Sequence, residues 1–144
     1  MKDIVVKMLK SGEPVFFGCD VMKFEDRYDG ILDLDLFDYN VRSLTIIVSL
    51  SHTTTIQVAF NITLNLNKAE RLEMGDSSMT HAMVFTGVHL DNDGKIVKFK
   101  VENAWGAAIG HQGWFMMTSA WFDQYVMSVL LLCTYLLQID TFTK

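Results

Sequence analysis

Asp91-Asn92-Asp93-Gly94-Lys95 is a run of turn-forming residues between two apolar stretches, and it folds the chain back on itself. On one side Ala82, Met83, Val84, Phe85, Gly87 and Val88 read as a mostly buried strand starting near His81; on the other, Lys98 to Trp105 reads as its partner. A fold for this chain must therefore contain an antiparallel hairpin. In a hairpin the start of one strand and the end of the other are neighbours. The pattern thus brings His81 close to Asn103 and sets Trp105 beside them, where its ring covers the pair from water.

That pair has a definite chemistry. A cysteine nucleophile works as its thiolate, so it needs an imidazole to take its proton and a third group to hold the ring's orientation and tautomer. An Asn carbonyl oxygen does the last job by accepting from the ring N–H that faces away from sulfur. His81 and Asn103 are the candidates for these two roles. A single His at a strand start is more often a satisfied structural residue than a catalyst; its coupling to Asn103 and Trp105 is what favours the catalytic reading.

Four strings extend the argument beyond the pair. Gly12-Glu13-Pro14-Val15-Phe16-Phe17-Gly18-Cys19-Asp20-Val21, Leu66-Asn67-Lys68-Ala69-Glu70-Arg71-Leu72, Met79-Thr80-His81-Ala82-Met83 and Val101-Glu102-Asn103-Ala104-Trp105-Gly106 closely resemble the C-terminal part of the bleomycin hydrolase family of papain-like cysteine aminopeptidases. Either short motif alone is weak; four strings in the right order are specific. The family's usual Ser stands at Ala104, a change that leaves the role of Asn103 intact. The resemblance implies an α+β fold: the right-hand, antiparallel β-sheet, barrel-like half of a papain-like cysteine peptidase, with flanking short helices. It implies residues 1–126 as that half, with residues 127–144 a divergent apolar tail. It implies peptide substrates with a free N-terminus, hydrolysis of bleomycin-type amides, a homo-hexamer, a cytoplasmic setting and no cofactor.

The same resemblance implies a nucleophile upstream, after an oxyanion-hole Gln and a Gly and directly before a Trp. The two cysteines here are Cys19, followed by Asp20-Val21, and Cys133, followed by Thr134-Tyr135; neither has that context. Cys19 reads as a buried structural residue and Cys133 as an inert member of an apolar run. This polypeptide alone is expected not to hydrolyse peptides. The competing reading is a catalytically inactive remnant acting as a binding or oligomerisation module. Met1-Lys2-Asp3 matches the interior of the family's helix, which suggests a start codon assigned by default.

Composition bounds the alternatives. With 50% hydrophobic and 12% aromatic residues, 144 residues are enough for one real core and exclude a disordered tail. The mean hydropathy is positive, which suggests surfaces meant to be covered. A net charge of −5 gives no nucleic-acid footprint. Two cysteines without framework spacing fit a reducing compartment, so the Asn61-Ile62-Thr63 sequon reads as unused. His89 and His111 lack a ligand companion at metal spacing, and the acidic residues 26 to 38 and 91 to 93 lack the Gly and Glu register of a calcium loop; no metal is expected. Met127 to Ile139 is too short for a comfortable membrane span, which needs about 20 residues, and reads as a buried strand or helix, or as read-through of non-coding sequence.

The remaining segments read as follows. Asp3 to Leu9 has apolar residues at helical spacing and stops at Ser11-Gly12-Glu13-Pro14; Val15 to Cys19 is a short buried strand. Residues 24–40 read as an acidic surface excursion with room for a short helix. Residues 41–57 interrupt the resemblance, which closes when Asn40 is joined to Val58; they read as a translated intron or, failing that, a genuine insertion, and His52 within them is given no role. Leu66 to Met74 reads as a short helix or turn with Lys68, Glu70 and Arg71 on a solvated face. Gly106 to Gly113 is a glycine-rich loop, Trp114 to Met117 a strand, and Ser119 the N-cap of a helical turn with a Trp/Phe pair facing the core.

Overall fold

A computed structural model describes residues 1–36 and 66–131. The segment 41–57, the sequon, Cys133 and the tail beyond residue 131 lie outside the described residues. Helix α1, Lys2–Lys10, carries Asp3 in its first turn and Lys7 and Lys10 in its last, charges that complement the helix dipole, and buries Val5 and Met8. It leads into strand β1, Val15–Cys19. Two short strands follow, β2 at Glu25–Asp26 and β3 at Ile31–Leu32, and then a 3-10 turn at Leu34–Leu36. After helix α2, Lys68–Glu73, come the long hairpin strands β4, His81–Leu90, and β5, Ile96–Glu102. Strand β6, Trp114–Thr118, helix α3, Ser119–Tyr125, and strand β7, Val126–Val129, complete the described chain.

Among the described residues the strands form one seven-stranded sheet in the order β2-β3-β6-β5-β4-β1-β7. All pairings are antiparallel except β3 with β6, which is parallel. The hairpin expected from the turn chemistry is its centre: Asp91 Oδ1 accepts from the N–H groups of Asp93 at 3.0 Å and Lys95 at 2.7 Å, closing the turn between β4 and β5. In β5, Phe99 and Val101 are buried while Lys98, Lys100 and Glu102 are exposed, so one face of the sheet meets water and the other the core. That core is aromatic. Phe17 stacks on Phe85 at 3.9 Å, and Phe85, Phe99 and Phe122 meet with ring centroids 4.9–5.5 Å apart.

Three sequence expectations are corrected. Residues 24–36 are not a surface excursion: Glu25 pairs with Leu32 and Asp26 with Ile31, Ile31 and Leu32 join β6, and Leu32 is fully buried. Five aspartates between positions 26 and 38 masked two short strands whose apolar content is a single Ile-Leu pair. Ser119 is not the N-cap of α3; Thr118 is, accepting from the Trp121 N–H. Its extended backbone ends β6 while its hydroxyl starts the helix. Lys68 and Arg71 are not on a solvated face. Lys68 Nζ donates to the carbonyls of Asp123 and Val126, and Arg71 donates to Gln124 and to the Leu66 carbonyl, so both cations cap the end of α3, whose last carbonyls face them. Asn67 and Glu70 form a capping box at the start of α2.

Candidate active site

Val84 stands opposite Glu102 in the β4–β5 ladder, so His81 and Asn103 meet at its open end. The approach to His81 is held by polar contacts. Asp20, which is buried, accepts from the Ser77 hydroxyl at 2.8 Å and from the Ser78 N–H. Thr80 donates its N–H to the Cys19 carbonyl, and its hydroxyl accepts from the Val21 N–H. On the other side Asn103 leaves the ladder, and its N–H donates to the Gly113 carbonyl at 3.0 Å.

His81 Nε2 lies 2.8 Å from Asn103 Oδ1, and the Ala104 N–H donates to that same oxygen at 2.8 Å. A backbone N–H needs an acceptor, so the oxygen of the amide, not its nitrogen, faces His81, and Nε2 must be the nitrogen that carries the proton. In the neutral ring Nδ1 is then a free base. Asn103 is only 8% exposed, and its Nδ2 finds no partner among the described residues. The indole of Trp105 stacks on the His81 ring with centroids 4.7 Å apart and is met edge-on by Phe115 at 5.9 Å. Trp105 thus lies against one face of the imidazole.

Two further charged groups stand here that the sequence did not single out. The Arg27 guanidinium lies over the Trp105 ring at 4.6 Å and pairs with Glu25 Oε1 at 3.1 Å. Glu25 Oε2 is buried without a partner among the described residues. Burial pushes the Glu25 carboxyl up, opposed by the hydrogen bond and charge of Arg27 and by His81. The turn bearing Arg27 is docked on the glycine-rich loop: Gly110 donates to the Arg27 carbonyl at 2.9 Å and Met116 to that of Gly30 at 2.7 Å. A side chain at either Gly30 or Gly110, both at positive φ, would collide with the Trp114 carbonyl. That backbone approach, invisible in residue type, brings residues 25–27 to the site.

Cys19 is the strand partner of His81, but it is fully buried, and burial, then the charges of Asp20 and Glu25, push its thiol up to about 12. Such a thiol stays protonated near neutral pH. His89 lies within β4, and His111 donates its backbone N–H to the Trp114 carbonyl. No group of three or more potential metal ligands occurs among the described residues.

The Peptidase C1-like family matches residues 1–141. Bleomycin hydrolase of Homo sapiens is 41% identical over 133 residues, which cover 90% of this chain and 26% of that protein. Aminopeptidase C of Streptococcus thermophilus is 37% identical over 129 residues, covering 90% of this chain and 25% of the relative. The crystal structure of PepW from Lactobacillus rhamnosis HN001 superposes with a TM-score of 0.75 at 42% identity, over 93% of this chain and 26% of that one. The chain therefore spans about a quarter of the length of these relatives, and it matches the C-terminal part of the curated ones. The sheet with its few helices is of the α+β, papain-like kind that the sequence implied. By sequence over nearly its whole length and by fold, the chain belongs to the Peptidase C1-like family.

Proposed function

We propose that residues 1–126 are the histidine–asparagine half of a cysteine aminopeptidase of the bleomycin hydrolase type. His81 is its general base and acid, Asn103 the orienter of His81, and Trp105 the cover. The observation that carries this reading is the His81 Nε2 to Asn103 Oδ1 contact of 2.8 Å, with the amide fixed by Ala104 so that Nδ1 is left free. A cysteine thiol brought to Nδ1 passes its proton to the ring, and the sulfur attacks the carbonyl carbon of the first peptide bond. The C–N bond then breaks as the imidazolium gives its proton to the leaving amine. Water, deprotonated by Nδ1, attacks the thioester; the C–S bond breaks and the proton returns to sulfur.

The nucleophile is neither Cys19 nor Cys133, so the 144 residues alone are inactive and the reaction needs a cysteine from outside them. Substrates are peptides with a free N-terminus and bleomycin-type amides, and the working assembly is a homo-hexamer in the cytoplasm. No helix among the described residues is long and apolar enough to cross a membrane. Residues 127–144 are read as a divergent apolar tail whose first residues, to Val129, complete β7, and 41–57 as a translated intron absent from the mature message or, failing that, a genuine insertion.

The test is to isolate the product of the mature transcript, treat it with a thiol-directed covalent probe, and assay an aminoacyl-coumarin amide. Labelling at a cysteine other than 19 and 133, with turnover falling roughly a thousandfold in His81→Ala, is expected. If no gene product labels or turns over, the enzymatic reading fails and a binding or oligomerisation role stands in its place.

A further inference from the structure

Trp105 lies three residues beyond the end of β5, at the mouth of a glycine-rich loop, so no ladder hydrogen bond sets the tilt of its ring. Its contact with His81 is a face contact without a directional bond. Phe115 touches it edge-on, at an interplanar angle of 79°, which limits its movement in one direction. A third contact is the guanidinium of Arg27, 4.6 Å from the ring centroid. A guanidinium is planar and weakly hydrated, and it stacks flat on an indole in a way an ammonium does not. Arg27 is itself held by its side chain, which donates to Glu25 Oε1 and to the Met22 sulfur, and by its carbonyl accepting from Gly110. Just upstream, Phe24 takes a positive φ of 52°, a conformation costly for a bulky residue, and its ring packs on Tyr125. The backbone is thus bent at the point that delivers Glu25 and Arg27 to this place.

The geometry points to Arg27 as a positioning residue: tethered by Glu25, it clamps Trp105 against the His81 imidazole and so fixes the plane in which that ring stays bonded to Asn103. Glu25 has a second effect. It balances the guanidinium charge, so the clamp does not add net positive charge beside a ring that becomes cationic during turnover. The catalytic meaning of the clamp rests on the reading of His81 as a base; the contact itself exists, or not, without turnover.

The experiment is proton–carbon NMR of the full 144-residue chain, with the His81 ring assigned through His81→Gln. Trp105 stacked on His81 displaces the ring protons upfield, and the displacement is measured against Trp105→Ala. Arg27→Ala is expected to remove roughly half or more of it while the β4 and β5 amide resonances stay in place, and Arg27→Lys, a cation without a flat face, to recover only part. A full displacement in Arg27→Ala overturns the clamp, because Phe115 and the backbone then suffice. If Arg27→Ala does not fold, Glu25→Ala removes the acceptor that tethers the guanidinium and leaves the guanidinium itself in place. A partial loss there supports the clamp, and an unchanged displacement overturns it. Loss of the displacement in a protein whose gene product never labels or turns over would sink the catalytic reading and leave the clamp standing. An intact displacement in an active enzyme would do the reverse.

Discussion

The aromatic cluster under the middle of the sheet and the polar cluster at the open end of the hairpin share strand β4, yet they are held in opposite ways. Phe17, Phe85, Phe99 and Phe122 are buried together and touch ring to ring, contacts whose energy scales with area removed from water. At the open end, His81, Asn103, Trp105 and Arg27 meet through one amide oxygen and a series of stacks, with Arg27 still 42% exposed at its side chain. Stability is concentrated in the first region and the proposed chemistry in the second.

The largest expected effect tests the stability half of that contrast. Phe85→Ala, at the centre of the cluster, is expected to cost about 3–5 kcal/mol, read as a lowered urea midpoint. Against total stabilities of about 5–15 kcal/mol, that brings the chain to the edge of unfolding. A cost below about 1 kcal/mol would mean that the cluster does not hold the sheet.

Next in size is a pH effect at the border between the two regions, where Cys19 faces His81 across the β1–β4 ladder. Burial raises Cys19 from 9.0 to about 12 and Tyr125 from 10.0 to about 12. The folded state therefore holds protons that the unfolded chain has released. Stability is complete below pH 9.0 and falls as pH rises towards 12, by about 1.4 kcal/mol per pH unit for each group once its unfolded form ionises. Between pH 9.0 and 10.0 Cys19 acts before Tyr125, so Cys19→Ala should flatten that part of the alkaline unfolding curve and leave the steeper part above it. An unchanged slope would show that the thiol is not sealed from water.

A smaller loss is expected from Asp20→Ala. It strands the buried Ser77 hydroxyl and the Ser78 N–H, at a cost of about 1–3 kcal/mol, with faster hydrogen exchange at Thr80 than in the β5 core. Uniform exchange along the chain would deny that the approach to His81 is an independently held segment.

The two regions also differed in how far the sequence revealed them. The hairpin, α1, β1, β6 and the meeting of His81 with Asn103 were legible because turn chemistry and apolar periodicity are local signals. Trp105 followed from its place beside Asn103. The β2–β3 hairpin was not, because its pairing with β6 is non-local and the two strands have two residues each. Glu25 and Arg27 were missed for the same reason, since they reach the site through the docking of Gly30 and Gly110 and not through any motif. The cap of α3 moved by one residue because Thr118 serves both as the last strand residue and as the first helical acceptor. Lys68 and Arg71 looked solvated because their partners are carbonyls of a helix that lies 53–58 residues further on.

The smallest expected change in stability belongs to the residue proposed to orient His81. Asn103→Ala removes the acceptor of His81 Nε2 and of the Ala104 N–H, but it also removes a buried Nδ2 that has no partner among the described residues. His81 is only half-buried, so water can replace its lost acceptor. The gains and losses offset, and the urea-derived stability should change by less than about 1 kcal/mol in either direction. The His81 ring should nevertheless lose its fixed tautomer and plane, seen as averaged ring nitrogen shifts. If the proposed aminopeptidase is isolated, its kcat should then fall with KM little changed. A destabilisation comparable to that of Phe85→Ala would mean that the open end of the hairpin is as much a part of the core as the aromatic cluster, and the contrast between the two regions would collapse.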